Sequence, residues 1–350
     1  MQYETGPLAP DATARAIGPW VRARLARMHA QPSPRVALRA AEWTADDGEP
    51  VREWLLAPDA ATCDQIEAEV QQWALRLGLY RPEAQTALAE GPCTMLAAVV
   101  MPDAPLDRIR LTSMYWTLII AFDDQVVEAG QSPEPYLEAV PELLLGRRDP
   151  DVADPFEVGF AEVGAGIREL KDGEALLPEF AFWVAESIAT YVGEWERARD
   201  GRLPTLDEHL HDAVANSHIV PGMLLQRLEP GLTAPGEPLP GELEHLARLV
   251  TRIARLENDL LSYAKDERDG AVNVCWILAE ELGIQPMHAI PSVLAMIRTL
   301  RAEVDELLAS NTAGKQAETI ADWVDACYGW FLTVARYGAA AAAAAAAKRS

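Results

Sequence analysis

The chain has 350 residues, 49% of them hydrophobic, and a formal net charge of −24 from 30 Lys plus Arg against 54 Asp plus Glu. That length supplies one large domain with a sizeable core, and so acidic a surface repels phosphate backbones, which excludes nucleic acid as a partner. A phosphorylated small molecule stays admissible only where cations bridge the two negative parties.

Four cysteines, Cys63, Cys93, Cys275 and Cys327, are widely spaced and form no CxxC pair. They read as free thiols in a reducing cytoplasm, with no zinc site and no disulfide staple. The N-terminus, MQYETGPLAPD, has early acids and no apolar segment, so it is not read as a signal peptide. No uncharged apolar run reaches the ~18 residues that a membrane span needs.

In chain order, residues 1–35 hold several prolines and small residues and are expected to form a loose arm. From about residue 60 onward the pattern is helical nearly throughout. CDQIEAEVQQWALRLGLY has apolar residues at three- and four-residue spacing and ends near a glycine. LDRIRLTSMYWTLIIAFDDQVVEA is a long apolar stretch broken most sharply at Asp123 and Asp124. EFAFWVAESIATYVGEWERA, LDEHLHDAVANSHIVPGMLLQRL, LEHLARLVTRIARLENDLLSYAKDE, HAIPSVLAMIRTLRAEVDELLAS and AETIADWVDACYGWFLTVARY continue in the same manner. No period-two series predicts a strand. The separators 129–135, 146–155 and 229–242 are rich in turn residues and read as loops between helices, because segments of one character flank them. The alanine run 339–347 reads as an extension of the last helix. The expectation is one all-α domain of about ten helices over 36–338, with an N-terminal arm and an alanine-rich tail over 339–350.

Asp123 and Asp124 follow YWTLIIAF directly, and an unpaired charge on an apolar face is costly. Glu128 lies one helical turn beyond Asp124 on the same side. Three carboxylates at the end of an apolar helix form a negative cluster that suits a hard cation, and Mg²⁺ commonly bridges carboxylates to phosphates. Taken alone, DDxxxE also fits a helix end whose acids are solvated.

The segment RLENDLLSYAKDE carries Asn258, Ser262 and Asp266 at i, i+4 and i+8, which places them on one helix face. An amide oxygen, a hydroxyl and a carboxylate make a second hard-cation set. Arg255 lies one turn earlier and Lys265 sits beside Asp266, so both are placed to meet an anion. An amphipathic face with ordinary charge pairs is the plain alternative. The pairing of two such stripes, about 130 residues apart, favours the metal reading over either plain one.

These residues resemble the class I terpene synthase family. DDQVVE at 123–128 is similar to its aspartate-rich motif, and NDLLSYAKD at 258–266 to its second metal motif. WVDACYGWFLTVARY resembles the closing helix that ends in an Arg-Tyr pair, here Arg336 and Tyr337. The resemblance spans roughly residues 60–340. It implies an α-helical bundle around a deep apolar cavity. It also implies three Mg²⁺ ions holding the diphosphate of a prenyl diphosphate, C15 or C20, and a carbocation that the cavity guides to a cyclic hydrocarbon or alcohol. On this reading Asp123, Asp124 and Glu128 hold metal, as do Asn258, Ser262 and Asp266. Arg255, Lys265, Arg336 and Tyr337 contact diphosphate, with Asp123, Arg255, Arg336 and Tyr337 carrying the catalytic roles. Tyr115, Trp116, Phe122, Phe182, Trp183, Asn216, Trp276, Tyr328, Trp330 and Phe331 are the cavity candidates, since aromatic faces attract a cation.

Three departures accompany the likeness. Val127 occupies the fifth position of the first motif, with the acid displaced to Glu128. Asp266 stands where Glu is usual, and Glu267 points about 100° away around the helix. The diphosphate-sensing Arg of bacterial members has no counterpart in HLHDAVANSHIVPG, where Asp212 and Ala213 stand, so Arg255 takes that place as in plant-type members. A chain-elongating prenyltransferase, a diterpene synthase acting on a bicyclic diphosphate and a non-catalytic helical binding protein are the competing readings. The cytoplasm is the expected compartment, and folds of this kind often pair as homodimers.

Overall fold

The computed structural model describes residues 60–310, 314–334 and 336. The expected N-terminal arm, the alanine tail and Tyr337 lie outside these residues. The described residues form thirteen α-helices and no strand. The count exceeds the expected ten because several apolar segments are split by short breaks.

The helices are α1 (Ala60–Leu77), α2 (Gln85–Glu90), α3 (Thr94–Val100), α4 (Leu106–Phe122), α5 (Glu134–Leu144), α6 (Pro155–Glu169) and α7 (Gly173–Arg199). Then come α8 (Leu206–Asn216), α9 (Ile219–Gln226), α10 (Gly241–Asp269), α11 (Val274–Leu282), α12 (Pro286–Ala309) and α13 (Gly314–Thr333). The three expected loop regions fall between α4 and α5, α5 and α6, and α9 and α10. Among the described residues no helix is long and apolar enough to cross a membrane.

Helix α4 is apolar on nearly every face, which predicts burial on all sides, and twelve of its residues are buried. Two of its interior hydroxyls bond back along the helix: Thr112 Oγ1 donates to Arg108 O at 2.9 Å and Ser113 Oγ to Ile109 O at 2.7 Å. At its C-terminal end Phe122 is fully buried, with edge-to-face contacts to Tyr136 at 4.9 Å and Phe156 at 5.4 Å. This aromatic seat fixes where the next residue, Asp123, emerges.

Helix α10 has 29 residues and so runs about 43 Å. It stops at Gly270, whose φ of 71° suits a left-handed cap and whose N–H returns to Asp266 O. It packs against α12 and α13. Helix α8 opens with a reciprocal capping box between Thr205 and Glu208. It ends at Asn216, and His218 takes a left-handed backbone, φ 54°, before α9 begins. The α8–α9 break and the facing ends of α4, α7, α10 and α13 surround one cavity.

Candidate active site

The acids of the first motif do not sit on a regular α-helix. Asp123–Val127 form a π turn, and Glu128 N–H donates to Asp123 O at 2.8 Å, five residues back. Such a turn widens the helix by one residue. It carries Glu128 back over Asp123, so oxygens of Asp123, Asp124 and Glu128 lie within 4.8 Å of one another. A three-carboxylate, oxygen-only set of this kind fits a hard divalent cation. Burial pushes the Asp123 carboxyl up to about 8, with the charges of Glu128 and Asp124 adding to the effect. Such a carboxyl is largely protonated at neutral pH, and a bound cation would favour its charged form.

The second stripe lies on α10. Asn258, Ser262 and Asp266 all line the cavity, whereas Glu267 does not. Ser262 Oγ donates to Asp266 Oδ2 at 2.5 Å, and Asn273 Nδ2 donates to the same oxygen at 2.8 Å. Burial raises the Asp266 carboxyl to about 6, and those two hydrogen bonds offset part of the rise. Asn273 also caps α11, accepting from Cys275 N at 3.0 Å. The helix start is thereby tied to the acid.

Lys265 joins the two motifs. Its Nζ lies 2.9 Å from Glu128 Oε1 and 3.6 Å from Asp269 Oδ2. Arg336 spans to the first motif as well, with Nη1 at 2.8 Å and Nη2 at 2.6 Å from the two oxygens of Asp124. Arg255, Lys265 and Arg336 all line the cavity. Arg255 Nε lies 3.1 Å from Asp259 Oδ1. Burial would lower its pKa, but Asp259, Glu194, Asp266 and Asp123 together raise it, so the guanidinium stays charged. The structure places no Arg on α8: Asp212 is ion-paired instead with Arg197 of α7 at 2.7 Å.

Asp259, between the motif residues, is only 1% exposed. Its Oδ2 lies 2.7 Å from His209 Nε2 and accepts from Val274 N at 3.1 Å. Burial alone would raise this carboxyl; Arg255 and His209 outweigh it and hold the group below its ordinary range. One carboxylate thus fixes α8, α10 and α11 at the edge of the site.

The cavity encloses about 420 Å³, within the range that holds a small organic ligand. Leu96, Ile119, Ile120, Trp116, Trp323, Trp330 and Phe331 supply its apolar wall. Trp116 and Trp323 meet edge to face at 5.4 Å. Gly222 of α9 stands behind them: a Cβ there would lie 2.4 Å from the Trp323 ring and 2.7 Å from that of Trp116. Tyr191, Glu194, Trp195, Asn216 and His218 complete the wall at the α7 and α8–α9 side.

Six of the sequence-based cavity candidates are not among the lining residues. Phe182 is 55% exposed on the outer face of α7, and Trp183 packs beside it. Phe122 belongs to the aromatic seat under Asp123. Trp276 stacks on Tyr263 at 4.9 Å. Tyr328 is fully buried in the core. Tyr115 lies behind the wall and bonds to His218 at 2.9 Å. The lining residues Tyr191, Glu194, Trp195, His218 and Trp323 were missed. Tyr191, Glu194, Trp195 and Ala198, at three- and four-residue spacing on α7, carried the signal that could have found four of the lining positions.

The sequence model described as "Terpene synthase family 2, C-terminal metal binding" matches residues 114–303, which include both acid motifs. The 4-epi-cubebol synthase ((2E,6E)-farnesyl diphosphate cyclizing) of Streptosporangium roseum is 23% identical over 295 residues, covering 78% of this chain and 87% of that protein. Sesquiterpene cyclase hepA of Aspergillus oryzae is 21% identical over 321 residues, covering 80% and 85%. In fold the chain is similar to 2-methylisoborneol synthase from Streptomyces coelicolor A3(2), solved in complex with Mg²⁺ and 2-fluoroneryl diphosphate. That match has a TM-score of 0.69 at 17% identity and covers 80% of this chain and 94% of that one. The linalool/nerolidol synthase from Streptomyces clavuligerus matches with a TM-score of 0.61 at 18% identity, covering 79% and 95%. With more than half of its length matched by the family model, the chain belongs to terpene synthase family 2 and is a class I terpene synthase.

Proposed function

We propose that the protein ionises a linear C15 prenyl diphosphate with the help of Mg²⁺ and cyclises the cation to a sesquiterpene hydrocarbon or alcohol. The observation that carries this reading is the Lys265–Glu128 contact, 2.9 Å, which brings two hard-cation ligand sets to one cavity. The names of the two sequence relatives support the C15 chain length.

Asp123, Asp124 and Glu128 would hold metal on one side, and Asn258, Ser262 and Asp266 on the other, in a site for three ions. When bound, Mg²⁺ supplies positive charge that stabilises the departing diphosphate. The chain's own cations add to it: Arg255, Lys265 and Arg336 face the cavity, and Tyr337 follows Arg336 in the sequence. Arg255 takes the sensing role that an arginine on α8 has in bacterial relatives. After ionisation the apolar wall excludes water, and Trp116, Trp323 and Trp330 offer ring faces to the positive charge.

Incubation with C10, C15 and C20 prenyl diphosphates, with and without Mg²⁺, tests the reading. A cyclic C15 product and diphosphate release that both require Mg²⁺ are expected. Longer prenyl diphosphates as products would identify a chain-elongating enzyme instead. No turnover, together with no Mg²⁺-dependent diphosphate binding, would overturn the assignment.

A further inference from the structure

One string of buried polar groups in the cavity wall has no part in holding metal or diphosphate. Tyr115 Oη lies 2.9 Å from His218 Nδ1, and Tyr191 Oη lies 3.0 Å from His218 Nε2. The three side chains come from α4, from α7 and from the break between α8 and α9. Tyr191 and His218 line the cavity; Tyr115 does not. His218 is 3% exposed and holds φ at 54°, a conformation that non-glycine residues adopt rarely and at some cost. Its carbonyl accepts from Trp116 Nε1 at 3.3 Å, so the unusual backbone is fixed by a wall residue.

Such a string is costly to build among apolar side chains. Nothing in the diphosphate chemistry requires it, because no carboxylate contacts the ring and burial alone keeps the imidazole neutral. A neutral imidazole has one N–H and one lone pair. With the proton on Nδ1, that N–H donates to the Tyr115 oxygen, and Nε2 accepts the Tyr191 hydroxyl. The basic nitrogen then communicates with the cavity through one hydroxyl.

We propose that the Tyr191–His218–Tyr115 string is the proton acceptor that ends the cyclisation. This rests on the terpene-cyclising function proposed above. A C–H bond beside the cationic carbon breaks, and its electron pair becomes the new C=C bond. The proton passes to Tyr191 Oη, whose own hydroxyl proton moves to Nε2 of His218. Tyr191 ends neutral, and the imidazolium donates from both nitrogens to the two tyrosine oxygens. A carbocation with an adjacent C–H is a far stronger acid than an imidazolium, so even a desolvated ring accepts. Burial disfavours the charged ring, and it returns the proton to diphosphate or water when product leaves.

The test uses the full chain with C15 diphosphate and Mg²⁺, with the product mixture as readout. His218→Gly suits the left-handed backbone and removes the base. Tyr191→Phe removes the hydroxyl and keeps the ring. Both are expected to lower the yield of the main alkene about tenfold or more, the scale of a lost general base, and to replace it with the same earlier-terminated or water-captured products. Added imidazole should restore the wild-type mixture to His218→Gly and leave Tyr191→Phe unchanged. Folded His218→Gly with an unaltered mixture would overturn the proposal. So would a shifted mixture that imidazole does not restore while Tyr191→Phe stays wild-type, since that marks a role in cavity shape. Wild-type protein that releases no diphosphate would defeat the functional reading itself.

Discussion

Arg336 grips both carboxylate oxygens of Asp124, at 2.8 and 2.6 Å, across 212 residues of chain. The side chains are 11% and 9% exposed, so solvent screens the pair little. The fork geometry matters here: a lysine offers a point charge without the planar pair of parallel N–H donors that matches a carboxylate. Arg336→Lys is therefore expected to lower kcat/KM for the prenyl diphosphate by about 10- to 100-fold, about 1.4–2.8 kcal/mol. An unchanged kcat/KM in steady-state diphosphate release would refute the role.

The π turn gives a sharper test of the first motif. Exchanging neighbours, Val127→Glu with Glu128→Val, keeps composition and charge and moves the acid by one position. In this turn it is position 128 whose carboxylate meets those of Asp123 and Asp124, so the double variant should need as much Mg²⁺ as Glu128→Ala for half-maximal activity. Wild-type Mg²⁺ dependence in the exchanged protein would show that the turn does not set the register.

His209 supports a buried carboxylate from outside the cavity. His209→Ala removes a hydrogen bond to a charged group and should cost about 2 kcal/mol in urea unfolding. Because Asp259 also holds Arg255, KM should rise along with the lost stability. A midpoint shift near zero would mean that Asp259 is satisfied without His209.

Acid stability separates His218 from its neighbours. Burial lowers its pKa to about 3 from the ordinary 6.5. Between those values the unfolded chain binds a proton that the native chain does not. The contribution is complete above pH about 6.5 and is lost as pH falls towards 3, at up to about 1.4 kcal/mol per pH unit. Asp123 and Asp266 are raised and titrate with the opposite sign. The informative quantity is thus the difference between wild type and His218→Gln, whose unfolding free energy should fall less steeply from pH 6 to pH 4. Equal slopes would contradict a neutral buried ring.

Helical periodicity made the all-α fold legible, and both acid stripes could be read because carboxylates interrupting apolar runs have few structural uses. The details that shape the site were less visible. A π turn and an α turn differ by one residue of register, and DDQVVE fits either until Phe122 is seated. His209 and Asp259 are 50 residues apart, and no local pattern couples them. Phe180 and Phe182 look alike in EFAFWV, yet two residues turn a helix by about 200°, so one is buried and the other exposed. Burial of an aromatic does not say which side of a wall it stands on, as Tyr115 and Tyr191 show.

Gly222 meets the cavity only through the two tryptophans it allows to approach. Its missing methyl acts as a gauge block: the spacing of the wall is set from the dry side, by a residue that no intermediate touches. Chamber width and chemistry are thereby separable. A change at this one codon would crowd Trp116 and Trp323 inward and favour more compact ring skeletons, while the acids and cations of the two motifs stay as they are. Diversity of product can arise in such a scaffold from behind the wall, with the reactive groups left untouched.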